Sequence, residues 1–190
     1  MQQLALFGTS ERIFVDDEAG KIAYYPGVLD AAESRRLFLH FSQSVTWTRE
    51  TMWMYDRTVS VPRLIARFST DGGVPAEVTA VQNRVEKFLK ACFNAVSLQY
   101  YRDANDSVAW HSDHTEDLID KGIVAVVSLG AVREMHVRTK ARPRRTFVCA
   151  LEPGSLFVMA GRAQDFWEHT IPKLRQPVAP RISITFRQKR

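Results

Sequence analysis

Arg181-Ile182-Ser183-Ile184-Thr185-Phe186-Arg187 alternates polar and apolar side chains without a break. Strand residues two apart share a face. Ile182, Ile184 and Phe186 therefore form an apolar face suited to a core, and Arg181, Ser183, Thr185 and Arg187 form a polar one. Two arginines on an inward face are costly without an anionic partner; the competing reading is a surface strand whose arginines reach into water. Upstream of this strand, short alternating runs separated by turns occupy 96–102, 107–112, 123–129, 132–138, 146–149, 155–159 and 166–170. With 181–187 they make eight short strands in about ninety residues, the pattern of a jelly roll or double-stranded β-helix.

The N-terminal half reads differently. Residues 1–20 form a lead-in with a short strand around Arg12 to Val15, and Ile22 to Tyr25 is a strand stopped by Pro26-Gly27. Asp30 caps a helix to about Ser42, with Leu37, Phe38 and Phe41 on its apolar face. Trp47 to Phe68 is rich in aromatic and β-branched residues and divides into two strands, with Asp56-Arg57 as the turn and the second strand after Pro62. Ser69 to Gly73 is a loop. Pro75 opens a second helix to about Ala91, with Val78, Val81, Val85, Phe88, Leu89 and Cys92 at core spacing. The expected class is α+β: one domain over 1–190, with 1–95 an N-terminal extension bearing a substrate lid and 96–188 a jelly-roll catalytic core. The two helices should pack on one sheet.

The 190 residues can bury a sizeable core. The net charge of +5 and pI near 9.4 favour an anionic partner, nucleic acid before a membrane surface, against plain solubility. Cys92 and Cys149 sit in apolar surroundings and read as buried free thiols, which implies a reducing compartment. The N-terminal residues lack the basic and apolar regions of a signal peptide, and no apolar run approaches a membrane span. The expectation is a soluble, cytoplasmic monomer.

His111 and Asp113 are two residues apart, so one strand aims both at a common point, and His169 must come from another strand. Two imidazoles and one carboxylate can take one face of an Fe(II) octahedron and leave three positions open. His111-Ser-Asp113 alone is a weak signal. Its place at a strand end, the later His169 and the two arginines strengthen it. His114, three residues from His111, would face away; His40 and His136 read as surface or packing residues. Zinc hydrolysis is the rival chemistry, but it would leave the arginine pair without a role. A dicarboxylate bridging metal and arginine would give it one.

Several runs resemble the AlkB family of Fe(II)/2-oxoglutarate dioxygenases. These are Gln99-Tyr-Tyr101-Arg-Asp-Ala-Asn-Asp-Ser-Val-Ala-Trp-His111-Ser-Asp113, Val127-Ser-Leu-Gly130, Gly154-Ser-Leu-Phe-Val-Met-Ala-Gly161, Trp167-Glu-His169-Thr-Ile-Pro-Lys173 and Pro180-Arg-Ile-Ser-Ile-Thr-Phe-Arg187. The match spans about residues 97–188, with a weaker one at Ser60-Val-Pro-Arg63-Leu-Ile-Ala66. The resemblance implies His111, Asp113 and His169 as iron ligands. It implies Arg181 and Tyr101 on the distal carboxylate of 2-oxoglutarate, and Arg187 near the proximal carboxylate and Asp113. Gln99 and Ser183 stand where the family usually carries Asn. The implied chemistry is oxidative demethylation, in which O2 is consumed, 2-oxoglutarate becomes succinate, and an N-methyl group of a damaged base leaves as formaldehyde.

On the substrate side the resemblance departs in detail. Thr115 stands where the family often carries an acid, with Glu116 one further on, and the segment after Phe68 is short. Trp53, Tyr55, Phe68 and Trp110 are candidates for stacking on the base, each also readable as strand core. Arg63 joins them from the weaker match. Lys140-Ala-Arg142-Pro-Arg144-Arg145 is a basic loop suited to phosphate, or simply to water. Three functions are consistent with these residues: an enzyme acting on alkylated nucleic acid, DNA before RNA; an oxygenase of the same fold acting on protein or small molecules; and a non-catalytic basic nucleic-acid-binding module.

Overall fold

The computed structural model describes residues 10–54, 56–69, 73–113 and 116–190. Two antiparallel sheets face each other. The strands are β1 (Arg12–Asp17), β2 (Gly20–Tyr25), β3 (Thr48–Met54), β4 (Arg57–Ser69), β5 (Ala95–Tyr101), β6 (Val108–His111), β7 (Val124–Gly130), β8 (Arg133–Thr139), β9 (Thr146–Leu151), β10 (Leu156–Ala160), β11 (Trp167–Ile171) and β12 (Arg181–Arg187). The larger sheet runs β1-β2-β10-β7-β12-β5-β4-β3, the smaller β6-β11-β8-β9, and neither closes on itself. The eight strands expected from 96 onward are all present. β1 to β4 are added at the two edges of the larger sheet.

Helices α1 (Ala31–Ser44) and α2 (Ala76–Leu89) lie on the outer face of the larger sheet. The Asp30 carboxylate accepts from the Glu33 N–H at 2.8 Å and caps α1. Leu37 and Phe41 of α1 and Val78, Val81 and Val85 of α2 join Ile182, Ile184 and Phe186 in one apolar cluster. A second cluster fills the space between the sheets, with Val126, Met135, Phe157 and Trp167. Alternation on β12 thus works as its sequence implies, with the apolar face under the helices and the polar face toward the small sheet. Gly130 ends β7 with φ of 82°, and a Cβ there would lie 2.5 Å from the Pro180 carbonyl oxygen. That close approach brings Gly130 into register with Arg181.

Four expectations are corrected. β4 begins at Arg57 and passes through Pro62 rather than starting after it. A register shift between Arg49 and Thr51 leaves Pro62 outside the ladder, where its missing N–H costs nothing, and its carbonyl accepts from Ser107 N at 2.7 Å. Phe88 is exposed, because Leu89 occupies the next core position of α2; its ring instead meets Tyr25 edge-on at 5.0 Å. Cys92 is exposed, lying beyond the left-handed Lys90 that ends α2, where helical spacing no longer applies. A short helix α3 (Ala163–Phe166) was not expected. Among the described residues no helix is long and apolar enough to cross a membrane.

Candidate active site

The two histidines are brought together by sheet register. β11 pairs with β6 so that His169 stands opposite His111, and their ring centroids are 4.3 Å apart. Asp113 follows two residues after His111. His111 Nδ1 lies 2.9 Å from the Ala109 carbonyl oxygen. A carbonyl can only accept, so Nδ1 carries the proton and Nε2 keeps its lone pair, the arrangement a metal-ligating imidazole needs. Burial lowers the His111 imidazole below its ordinary range against the opposing Ala109 bond. Burial, with His111 beside it, lowers His169 further, to about 3. His169 is therefore neutral at physiological pH, and its buried Nδ1 has no hydrogen-bond partner.

Burial pushes the Asp113 carboxyl up, but the Arg187 guanidinium outweighs it and holds the group below the usual carboxylate range. Arg187 donates to Asp113 Oδ1 from Nε at 3.1 Å and from Nη2 at 2.8 Å. Gln164 of α3 fixes the backbone by accepting from Asp113 N at 2.8 Å. His111, Asp113 and His169 share one cavity of about 70 Å³. Among the described residues no three His, Cys, Asp or Glu side chains converge closely enough to hold a metal ion as they stand. The donor set still fits a divalent ion. It offers two neutral imidazoles and a charged carboxylate, and one buried ring nitrogen is unpartnered.

Arg181 lines the same cavity and is 1% exposed. Its Nη2 donates to Ser128 Oγ at 2.8 Å, and its guanidinium lies 5.3 Å from the Tyr101 ring centroid. Its buried Nε has no partner. Burial lowers this arginine to about 10, still charged at neutral pH. A buried, charged and incompletely satisfied guanidinium is a seat for a carboxylate. Gln99 bonds at both ends of its amide: its Oε1 accepts from Ser183 Oγ at 2.8 Å and Thr185 Oγ1 at 2.9 Å, and its Nε2 donates to Ser97 Oγ at 2.8 Å. Ser97 Oγ in turn accepts from Arg187 Nη1 at 2.9 Å. Gln99 and Ser183 thus bond each other beside the cavity.

The inner cavity adjoins a wider mouth of about 310 Å³, with Arg63, Gln99, His111, Asp113 and Arg187 lining both. Arg67 and Lys189 add positive charge to the mouth and Asp117 negative. Arg63 has a buried Nε without a partner. Trp110 lines neither cavity. Its side chain points away from that of the adjacent His111, and the Arg138 guanidinium covers its ring at 3.8 Å. Phe68 packs against the helix-side cluster. Glu116 is exposed beside a separate depression with Leu118 and Asp120. Tyr55, His114, Thr115 and the Trp53 side chain lie outside the described residues. Arg142, Arg144 and Arg145 are exposed. Arg144 pairs with Glu168 at 3.0 Å and Arg145 with Asp17 at 2.8 Å, so two of the three cations already have a partner.

Sequence reasoning missed Ser128, Gln164, Ser97 and Arg133, which tie the site residues in place. Ser128 carried a usable signal, a polar residue within the otherwise apolar run Val124–Leu129.

Two facing antiparallel sheets with two histidines and an aspartate between them are the frame and donor set expected of a non-haem iron oxygenase. The family model described as the 2OG-Fe(II) oxygenase superfamily matches residues 70–187, and the chain belongs to that superfamily. Fe(II), 2-oxoglutarate and O2 are the metal and co-substrates that membership brings. Among relatives, human alpha-ketoglutarate-dependent dioxygenase alkB homolog 3 is 30% identical over 187 residues, covering 88% of this chain and 65% of the relative. The chain thus spans a little under two thirds of that protein's length. The mouse DNA oxidative demethylase ALKBH2 is 29% identical, with 86% of this chain and 78% of the relative covered. The solved structure of OsALKBH1 superposes with a TM-score of 0.64 over 93% of this chain and 100% of its own, at 13% identity, a likeness of fold.

Proposed function

We propose that this protein is an Fe(II)- and 2-oxoglutarate-dependent oxidative demethylase of N-alkylated bases in nucleic acid, DNA before RNA. One observation carries the reading: the His111, Asp113 and His169 cavity holds a buried arginine, Arg181, whose Nε has no partner, and its mouth is lined by Arg63, Arg67 and Lys189. An anionic co-substrate suits the inner end, and a polyanion suits the outer one. The names of the relatives, a dioxygenase and a DNA oxidative demethylase, support the same reaction class.

His111, Asp113 and His169 would hold the metal. Bound there, Fe(II) with its co-substrate would supply the oxidising chemistry: O2 is consumed, 2-oxoglutarate leaves as succinate and CO2, and the methyl carbon leaves as formaldehyde. The chain's own contribution is positional. Ala109 fixes the His111 tautomer and Arg187 and Gln164 fix Asp113. Arg181 and Tyr101 would hold the distal carboxylate, and the facing sheets exclude water from the cavity. Arg63, Ile65 and Arg67 bring β4 to the mouth, which suits the β3–β4 hairpin as the substrate lid. Two free thiols fit a cytoplasmic enzyme, working as a monomer.

The test is release of formaldehyde and succinate from a panel of methylated single- and double-stranded DNA and RNA oligonucleotides. Both products should appear together, and Asp113→Ala should abolish both while keeping the wild-type circular dichroism spectrum. Succinate without formaldehyde from any oligonucleotide would transfer the reading to an oxygenase of protein or small molecules. Full activity in Asp113→Ala would remove the metal-ligand assignment.

A further inference from the structure

Arg133 opens β8 and is 2% exposed, yet it lies outside the cavity lining. Its guanidinium is held by backbone oxygens: Nη1 donates to the Asp103 carbonyl at 3.2 Å, and Nη2 to those of Asp106 at 3.0 Å and Pro172 at 2.5 Å. Asp103 and Asp106 belong to the segment that follows Tyr101, and Pro172 directly follows β11, which carries His169. One side chain therefore joins the chain after the Tyr101 phenol to the chain after a metal-ligand strand.

The electrostatics are unusual. The Arg133 guanidinium lies 5.7 Å from the Tyr101 ring centroid, and that of Arg181 lies 5.3 Å from the same ring. Two buried guanidinium groups thus share one phenol. The carboxylate of Asp106, whose backbone oxygen Arg133 binds, is taken by Arg102 through both oxygens, at 2.7 and 2.8 Å. Among the described residues no carboxylate oxygen hydrogen-bonds Arg133, and its buried Nε has no partner. Concentrating like charge in a low-dielectric interior is costly unless an anion arrives to offset it.

We propose that Arg133 is a positioning residue that sets the preference for a dicarboxylate co-substrate. It would hold Tyr101 in place and add a second buried positive charge behind the seat offered by Arg181. A 2-oxo acid with a distal carboxylate gains from both effects, and one ending in a methyl group gains from neither. The inference rests on the reading of Arg181 and Tyr101 as the distal-carboxylate pair.

The experiment compares 2-oxoglutarate with 2-oxopentanoate, which has the same five-carbon chain without the distal carboxylate. Binding of each to the full chain loaded with Mn(II) is measured by calorimetry for wild type, Arg133→Met, Arg133→Lys and Arg181→Met. Arg133→Met should weaken 2-oxoglutarate binding about tenfold and leave 2-oxopentanoate nearly unchanged. Arg133→Lys keeps the charge but loses the planar fork, so it should show a smaller loss confined to 2-oxoglutarate; it also serves if the methionine variant does not fold. Equal weakening of both acids would make Arg133 a scaffold residue only and overturn the proposal, as would an unchanged ratio in both variants. Arg181→Met separates the two readings. If it erases the preference and the Arg133 variants do not alter it, only the Arg133 proposal fails. If it too leaves the preference intact, the distal-carboxylate reading fails with it.

Discussion

Arg181 shows how much one residue can disclose. Its side chain is buried, it donates to Ser128, and one N–H is left without a partner. Losing one arm of a buried charge-assisted pair costs about 2–5 kcal/mol. Arg181→Ala should therefore raise the 2-oxoglutarate concentration needed for half-maximal turnover by at least about tenfold; an unchanged requirement would place the anchor elsewhere. The cysteines allow a separate test. Burial pushes the Cys149 thiol up to about 12, whereas Cys92 is exposed. Reactivity follows the thiolate. The native chain should take up one equivalent of iodoacetamide at pH 8, at Cys92, and a second only in denaturant. Rapid native labelling of Cys149, read by mass spectrometry, would contradict its burial.

At the scale of elements, the turn between β5 and β6 supports both Tyr101 and His111. It is closed by Asp106, which accepts from Arg102 N, Nε and Nη2 at 2.9, 2.7 and 2.8 Å. Burial pushes the Asp106 carboxyl up, but Arg102 outweighs this and holds it below the usual range. A depressed carboxyl contributes stability that is fully present above its unfolded value of about 3.9 and is lost as pH falls through the lower folded value. Asp106→Asn should cost about 2–3 kcal/mol in urea unfolding at pH 7, and the gap from wild type should narrow in strong acid. A gap that is the same at both pH values would show that the carboxylate charge is not what closes the turn. The strands themselves were legible because their alternation answers to two cores, one under the helices and one between the sheets. The passage of β4 through Pro62 was not, since it depends on a register shift in the neighbouring strand. The His–Asp spacing and Arg181 were visible as candidates because period-two geometry acts along one strand. Gln164, Ser128 and Arg133 reach the site by contacts from α3, β7 and β8, which no local spacing encodes.

For the whole molecule, the question is where a polyanion would lie. Two basic clusters are candidates: the mouth, with Arg63, Arg67 and Lys189, where Arg67 pairs with Glu50 and Lys189 with Asp117, and the exposed β8–β9 loop, with Arg142, Arg144 and Arg145. The ion pairs of Arg144 with Glu168 and Arg145 with Asp17 do not disqualify the loop. Exposed pairs are worth about 0–1 kcal/mol and can be given up for a phosphate. Each phosphate contact releases counterions, so log affinity falls against log salt by about 0.7 per contact on single strands and about 0.9 on duplex. Replacing all three loop arginines with Ser should weaken oligonucleotide binding and flatten that slope by about one to two units. Turnover of 2-oxoglutarate without nucleic acid should barely change, because none of the three lines the His111, Asp113 and His169 cavity. Replacing Arg67 and Lys189 instead should flatten the slope from the mouth side, so the two variants together separate a strand held at the mouth from one held across the loop. If the loop variant keeps the wild-type slope while the mouth variant loses it, the loop is solvated and the substrate track ends at the mouth.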